Sequence, residues 1–219
     1  MTTDSKWRKH LNVCLFVTFV TAILYFSLFV RIHPIPMPWI LMFIIPTAYY
    51  IKQKTPFAHI LTEKKPLFPQ IIAGIILCLA TVLLLFITFI FLSLLANTPY
   101  LELLRNYAPP RRNILYALFI IGFGEEWFFR GFVFDKLYKD TNSKLIAILL
   151  SSILFALVHF QFWLIGDHTW ALIANMIFCF FVGLLYAFAR CYTKSSTLTS
   201  VSLAHGLYWI VMPIITQHI

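Results

Sequence analysis

Residues 67–96 read LFPQIIAGIILCLATVLLLFITFIFLSLLA, thirty residues without one Asp, Glu, Lys or Arg. A helix rises 1.5 Å per residue, so about 20 apolar residues cross the roughly 30 Å of bilayer hydrocarbon. This stretch is long enough to span with strong tilt or to extend past the bilayer. Six further apolar runs lie around it, at about 11–31, 36–51, 113–137, 144–163, 170–190 and 198–216; those at 36–51 and 198–216 are short. The expected fold is all-α, a polytopic transmembrane helical bundle of about seven spans. It divides into N-terminal transmembrane helices over 1–112 and core helices over 113–216, within a single membrane domain.

The rest of the chain agrees with that reading. Of 219 residues, 61% are hydrophobic and 11% are charged, and mean hydropathy is +0.85. A soluble domain is about 45–50% apolar and about 25% charged. A soluble enzyme, a disordered tail and a disulfide-stapled secreted module are thereby excluded. The formal charge of +9 does not point to nucleic acid, because a nucleic-acid binder gathers its Lys and Arg on one polar face. Here they lie between apolar runs, where membrane proteins carry them. The expected partners are therefore the lipid bilayer and membrane-associated molecules. Cys14, Cys78, Cys179 and Cys191 show no CxxC or Cys/His zinc spacing and read as packed, reduced thiols.

Lys6, Arg8 and Lys9 precede an apolar run from Leu11 to Val30. The run is longer than a signal-peptide core and no small-x-small cleavage site follows, so it reads as a retained first span. With the N-terminus inside, twelve Lys and Arg fall on inner segments, against Arg31, Arg105, Arg111 and Arg112 outside. The positive-inside rule then predicts a multi-pass protein of the cell membrane with a cytoplasmic N-terminus. Aromatic residues near span ends, among them Trp39, Tyr49, Tyr50, Tyr100 and Trp170, read as an interfacial belt. Small residues repeat at i, i+4 in Ser143, Ala147 and Ser151, and again in Ala171, Asn175, Cys179, Gly183 and Ala187. Such ladders let helices approach closely in lipid. Asn175 is also polar at membrane depth, which makes it a candidate site residue.

Full charges occur inside the spans at one place, Gly124-Glu125-Glu126-Trp127-Phe128-Phe129-Arg130. Each costs about 2.5–3.5 kcal/mol at a helix centre, even on the lenient insertion scale. Glu126 and Arg130 are i, i+4 with the acid first, the favourable order for an ion pair. Glu125 points to another sector and has no local partner. A carboxylate so placed in a low-dielectric site suits proton transfer. His159, sharing a helix face with Phe155, and His205 lie in two further spans, and intramembrane ionisable groups converge on cavities. Depth is the open question. Glu125 is eleven residues from Lys136 and His205 eleven from Lys194, about 16 Å from the inner edge. His159 is fifteen from Lys144, about 22 Å, and is expected to sit further out unless its helix begins deep or tilts.

The chain resembles the CPBP family of intramembrane glutamic endopeptidases, which includes the type II CAAX-prenyl proteases and bacteriocin-processing or self-immunity homologues. The family's Glu-Glu-x-x-x-Arg element stands as Glu125-Glu126-Trp127-Phe128-Phe129-Arg130, followed by Gly131-Phe132. Its Phe-x-x-x-His element stands as Phe155 to His159, a Phe/Gly-rich element as Phe180-Phe181-Val182-Gly183, and its His-x-x-x-Asn (or Asp) element begins at His205. The resemblance covers about 113–210. It implies that Glu125 is the general base on a water, that His159 positions that water and that His205 stabilises the oxyanion. Glu126 and Arg130 would hold the helix geometry. Four residues after His205 the family carries Asn or Asp, whereas this chain has Trp209. The indole N–H is a donor and is a candidate substitute, as are Asn175 and a backbone N–H.

The resemblance needs no serine, cysteine, metal or cofactor. There is no HExxH, although two Glu and two His are also a possible zinc set. The expected activity is hydrolysis of a peptide bond in a membrane-associated peptide or protein. The alternative is a non-proteolytic scaffold or immunity protein of the same family that binds another membrane protein; a transporter with a Glu/His proton relay lacks the inverted repeat expected of one. The compact chain reads as a prokaryotic member.

Overall fold

A computed structural model describes Asn12, Phe16 and residues 37–107, 113–159 and 169–217. Apart from Asn12 and Phe16, the first expected span lies outside the described residues. All regular structure among the described residues is helical. The helices are α1 (Met37–Lys52), α2 (Phe57–Thr62), α3 (Leu67–Ala96), α4 (Tyr100–Tyr107), α5 (residues 114–141), α6 (Lys144–Val158), α7 (Thr169–Tyr192) and α8 (Leu198–Thr216).

Three of these are long and apolar enough to cross a membrane: Leu67–Ala96, Leu172–Tyr192 and Leu198–Thr216. Leu41–Lys52 and Lys144–Val158 are shorter apolar helices. The described residues thus hold three spans of full length where about seven are expected over the whole chain. The run at 144–163 stops as α-helix at Val158, and 160–163 lie outside the described residues. The run at 113–137 is one helical stretch, but it carries the three charges and is not regularly α. Tyr116–Phe123 and Trp127–Val133 are wound as π-helix, with an α turn at Gly124–Glu126 between them and α-helix again over Phe134–Thr141. π-Winding is rare and concentrates at functional sites.

The surface is apolar in the manner of a protein bathed in lipid. Along α3, Phe68, Ile76, Leu79, Leu83 and Leu94 are all more than half exposed. A soluble monomer rarely shows a contiguous apolar face of this size. The opposite face of α3 packs against α7 and α8, with Leu85 and Phe89 fully buried.

Helix α8 lies at the centre, against α3 on one side and the first π segment of α5 on the other. Gly122 and Gly206 make the second contact possible. A Cβ on Gly122 would lie 2.6 Å from the Gly206 nitrogen and the Ser202 carbonyl oxygen, and one on Gly206 would lie 2.8 Å from Leu118 Cα. Of the two small-residue ladders, Ala147, Ser151, Cys179, Gly183 and Ala187 are buried, and Gly183 lies against Ser152 where α6 meets α7.

Two local features set the height of the site. Helix α5 does not stop at Lys136; it runs to Thr141, and Asn142 takes the left-handed conformation that ends it. Ser143 then caps α6 by accepting from the Ile146 N–H. Helix α8 begins inside the protein. Its cap Thr197 is fully buried, forms a capping box with Ser200 and donates to Gln70 Oε1 at 2.6 Å, while Gln70 Nε2 donates to the Lys65 and Pro66 carbonyls at the start of α3.

Candidate active site

Glu125, His159 and His205 come together within the bundle. Glu125 Oε2 lies 3.8 Å from Nε2 of His159 and 3.8 Å from Nε2 of His205. All three residues are buried, and Glu125 Oε2 has no hydrogen-bond partner among the described residues. The depth estimate that left His159 further out is corrected by the hairpin. Glu125 is sixteen residues before Thr141 and His159 is fifteen after Lys144, so the two arms are matched and the residues come level. Lys136 is not the inner edge, because α5 continues past it.

The local chain explains how each side chain is held. At the end of α6 the winding tightens, and the His159 backbone N–H donates to Ala156 and Leu157 rather than to Phe155. Among the described residues that leaves the Phe155 carbonyl without its usual helical donor, as at helix ends. The His159 ring takes it, with Nδ1 at 2.7 Å. A carbonyl only accepts, so Nδ1 carries the ring proton of neutral His159 and Nε2 presents a lone pair to Glu125. The Phe-x-x-x-His spacing is therefore a device for orienting the imidazole.

Glu126 has a partner near each oxygen, although Oε2 makes an ion-pair contact and no hydrogen bond among the described residues. Oε2 pairs with Arg130 Nε at 3.1 Å, and Oε1 lies 2.9 Å from His205 Nδ1. The Arg130 side chain is 1% exposed, and its Nη1 and Nη2 have no hydrogen-bond partner among the described residues. The guanidinium instead sits 4.0 Å from the centroid of the Phe155 ring and 5.7 Å from that of Tyr186. A desolvated cation–π contact contributes about 2 kcal/mol, which offsets part of the cost of this buried charge. Phe155 thus supports the site twice, through its carbonyl and through its ring.

Trp209 faces the same cluster: its Nε1–H donates to His205 Nε2 at 3.2 Å. Asn175 does not join it. Its amide oxygen accepts from the Cys179 thiol at 3.5 Å, and no hydrogen bond to Glu125, His159 or His205 is among the described contacts. Among the described residues, no three His, Cys, Asp or Glu side chains are arranged to hold a metal ion.

Two residues escaped the sequence reading. Arg190 reads as one more inner loop-end cation. Instead, its side chain is only 10% exposed, its Nη1 donates to the Arg130 carbonyl, and it pairs with Asp135 at 3.2 Å and Glu63 at 3.4 Å. Tyr50 reads as an interfacial aromatic, but it is buried and donates to the other oxygen of Asp135 at 2.7 Å. Together they hold the carbonyl side of the second π segment. A cation at the end of an apolar run carries no signal that separates this role from topology.

Bundle and cluster together define a class: a multi-pass helical membrane protein with one carboxylate facing two imidazoles in its interior. Residues 108–211 match the family model described as "Type II CAAX prenyl endopeptidase Rce1-like". Through that segment the chain is similar to the type II CAAX prenyl endopeptidase family. No curated protein and no solved structure matches the chain.

Proposed function

We propose that the chain is an intramembrane endopeptidase that uses a water activated by Glu125 and His159. The observation that carries this reading is the 3.8 Å separation of the buried Glu125 Oε2 from both imidazole Nε2 atoms. That distance is too long for a hydrogen bond and is suited to a bridging water. Such a water donates one hydrogen to Glu125 and the other to His159 Nε2, and turns a lone pair toward a peptide carbonyl. Glu125 takes the proton as the C–O bond forms and returns it to the leaving amine as the C–N bond breaks. His205 and Trp209 border the oxyanion side. Glu126 and Arg130 position the helix. The substrate is a membrane-associated peptide or protein, and the family's name makes a prenylated CAAX peptide the first probe.

The same reading takes in the topology: about seven spans in the cell membrane, a cytoplasmic N-terminus and a prokaryotic host. The second reading, a non-proteolytic scaffold or immunity protein, is favoured by Trp209 at the position of the family's Asn or Asp. One comparison separates the two. General acid–base catalysis contributes about 10²–10⁴-fold, so Glu125→Gln should lower cleavage of the prenylated peptide by that factor at equal protein level in membranes. Cellular function that survives Glu125→Ala at normal abundance would defeat the protease reading. Cleavage should also persist in EDTA; a reversible loss restored by zinc would make it a metalloenzyme.

A further inference from the structure

We propose that Trp209 occupies the Nε2 lone pair of His205, keeping the ring proton on Nδ1, and is itself the N–H donor on the oxyanion side of the site. An indole nitrogen only donates, so the 3.2 Å contact from Trp209 Nε1 requires a lone pair on His205 Nε2. The ring proton of His205 then sits on Nδ1 and donates to Glu126 Oε1 at 2.9 Å. The two contacts are mutually consistent and fix one tautomer from both edges of the ring. Trp209 and His205 are i, i+4 on α8, so the device is built into one helix face.

This rests on the proposed activity for its meaning and changes one part of it. A neutral His205 held this way has no N–H at Nε2 to offer an oxyanion. The N–H at that edge belongs to the indole, and an entering carbonyl oxygen competes with His205 Nε2 for it. Where the family's pattern sets an Asn or Asp beside the histidine, this chain holds a single donor that the histidine itself keeps in place.

The hydrogen bond is observable without substrate. In detergent-solubilised full-length protein labelled with ¹⁵N in His and Trp, one indole Nε1 should show a through-hydrogen-bond coupling to one imidazole Nε2. The same imidazole should carry its proton on Nδ1. The coupling should vanish in Trp209→Phe, which keeps an aromatic ring and removes the N–H, while the contact to Glu126 Oε1 still holds a proton on Nδ1. The prenylated CAAX peptide supplies the second readout: losing an oxyanion donor costs about 10²–10³ in rate, so kcat should fall by that factor with KM within about twofold. No coupling in the wild-type protein, or an unchanged kcat in a folded Trp209→Phe variant, overturns the inference. Failure of the wild-type protein to cleave overturns the proposed activity instead, and leaves the coupling to be found.

Discussion

At the scale of single residues, the sequence announces charges that are out of place and hides those that look at home. Glu125, Glu126 and Arg130 are legible because each interrupts an apolar run at a cost no membrane helix bears without a return. Arg190 is not, although it is buried against the Arg130 carbonyl, Asp135 and Glu63. Removing one partner of a buried ion pair costs about 3–5 kcal/mol. Both acids here are close to a third exposed, so a smaller loss, about 2–3 kcal/mol, is expected for Arg190→Met. At roughly 2–4 °C per kcal/mol for a chain of this size, thermal unfolding in detergent should fall by about 4–12 °C. A change under 2 °C would make Arg190 a topology marker and nothing more. The hydrogen bonds that orient His159 and His205 lay beyond sequence reasoning for another reason. They depend on a helix end that tightens and on a contact across two helices, and neither leaves a mark in composition.

At the scale of elements, apolar length predicts helices well and their winding poorly. The run at 113–137 gives the right helix and the right Glu126–Arg130 pair, but nothing in its periodicity predicts two π segments around a three-residue α turn. Glycine roles also separate only in three dimensions. Gly131 completes the Arg130-Gly131-Phe132 text of the motif, yet a Cβ there meets nothing nearer than 3.5 Å. Gly122 has no motif around it, and a Cβ there meets the α8 backbone at 2.6 Å. Gly131→Ala should therefore be neutral or slightly stabilising, since alanine gains up to about 1 kcal/mol in a helix. Gly122→Ala should lose at least about 1–3 kcal/mol by forcing α5 from α8. It should also lower activity, because that crossing sets the height of His205 against Glu125. The reverse ranking in detergent stability would mean that the two helices do not cross at Gly122.

At the scale of the whole molecule, the class of protein is legible from residues 67–96 and the charge content alone, while the arrangement of spans is not. Short helices such as Leu41–Lys52 and Lys144–Val158 fall below the length at which hydropathy decides crossing. Seven spans with an inner N-terminus require an outer C-terminus. Reporter fusions active on only one side of the membrane should therefore give opposite signals at the two ends. Equal signals would mean an even number of crossings, with one short helix re-entrant.

The matched arms of the α5–α6 hairpin have a temporal consequence. Glu125 and His159 belong to one local hairpin closed by Asn142 and Ser143, whereas His205 comes 46 residues after His159. Local contacts form early and chains emerge from the N-terminus. The heights of Glu125 and His159 are thus set by counting residues from one turn, ahead in the chain of the helix bearing His205. Until that helix packs, the carboxylate and the imidazole lack the His205–Trp209 edge. A helix later in the chain than the hairpin is the one that completes the cluster.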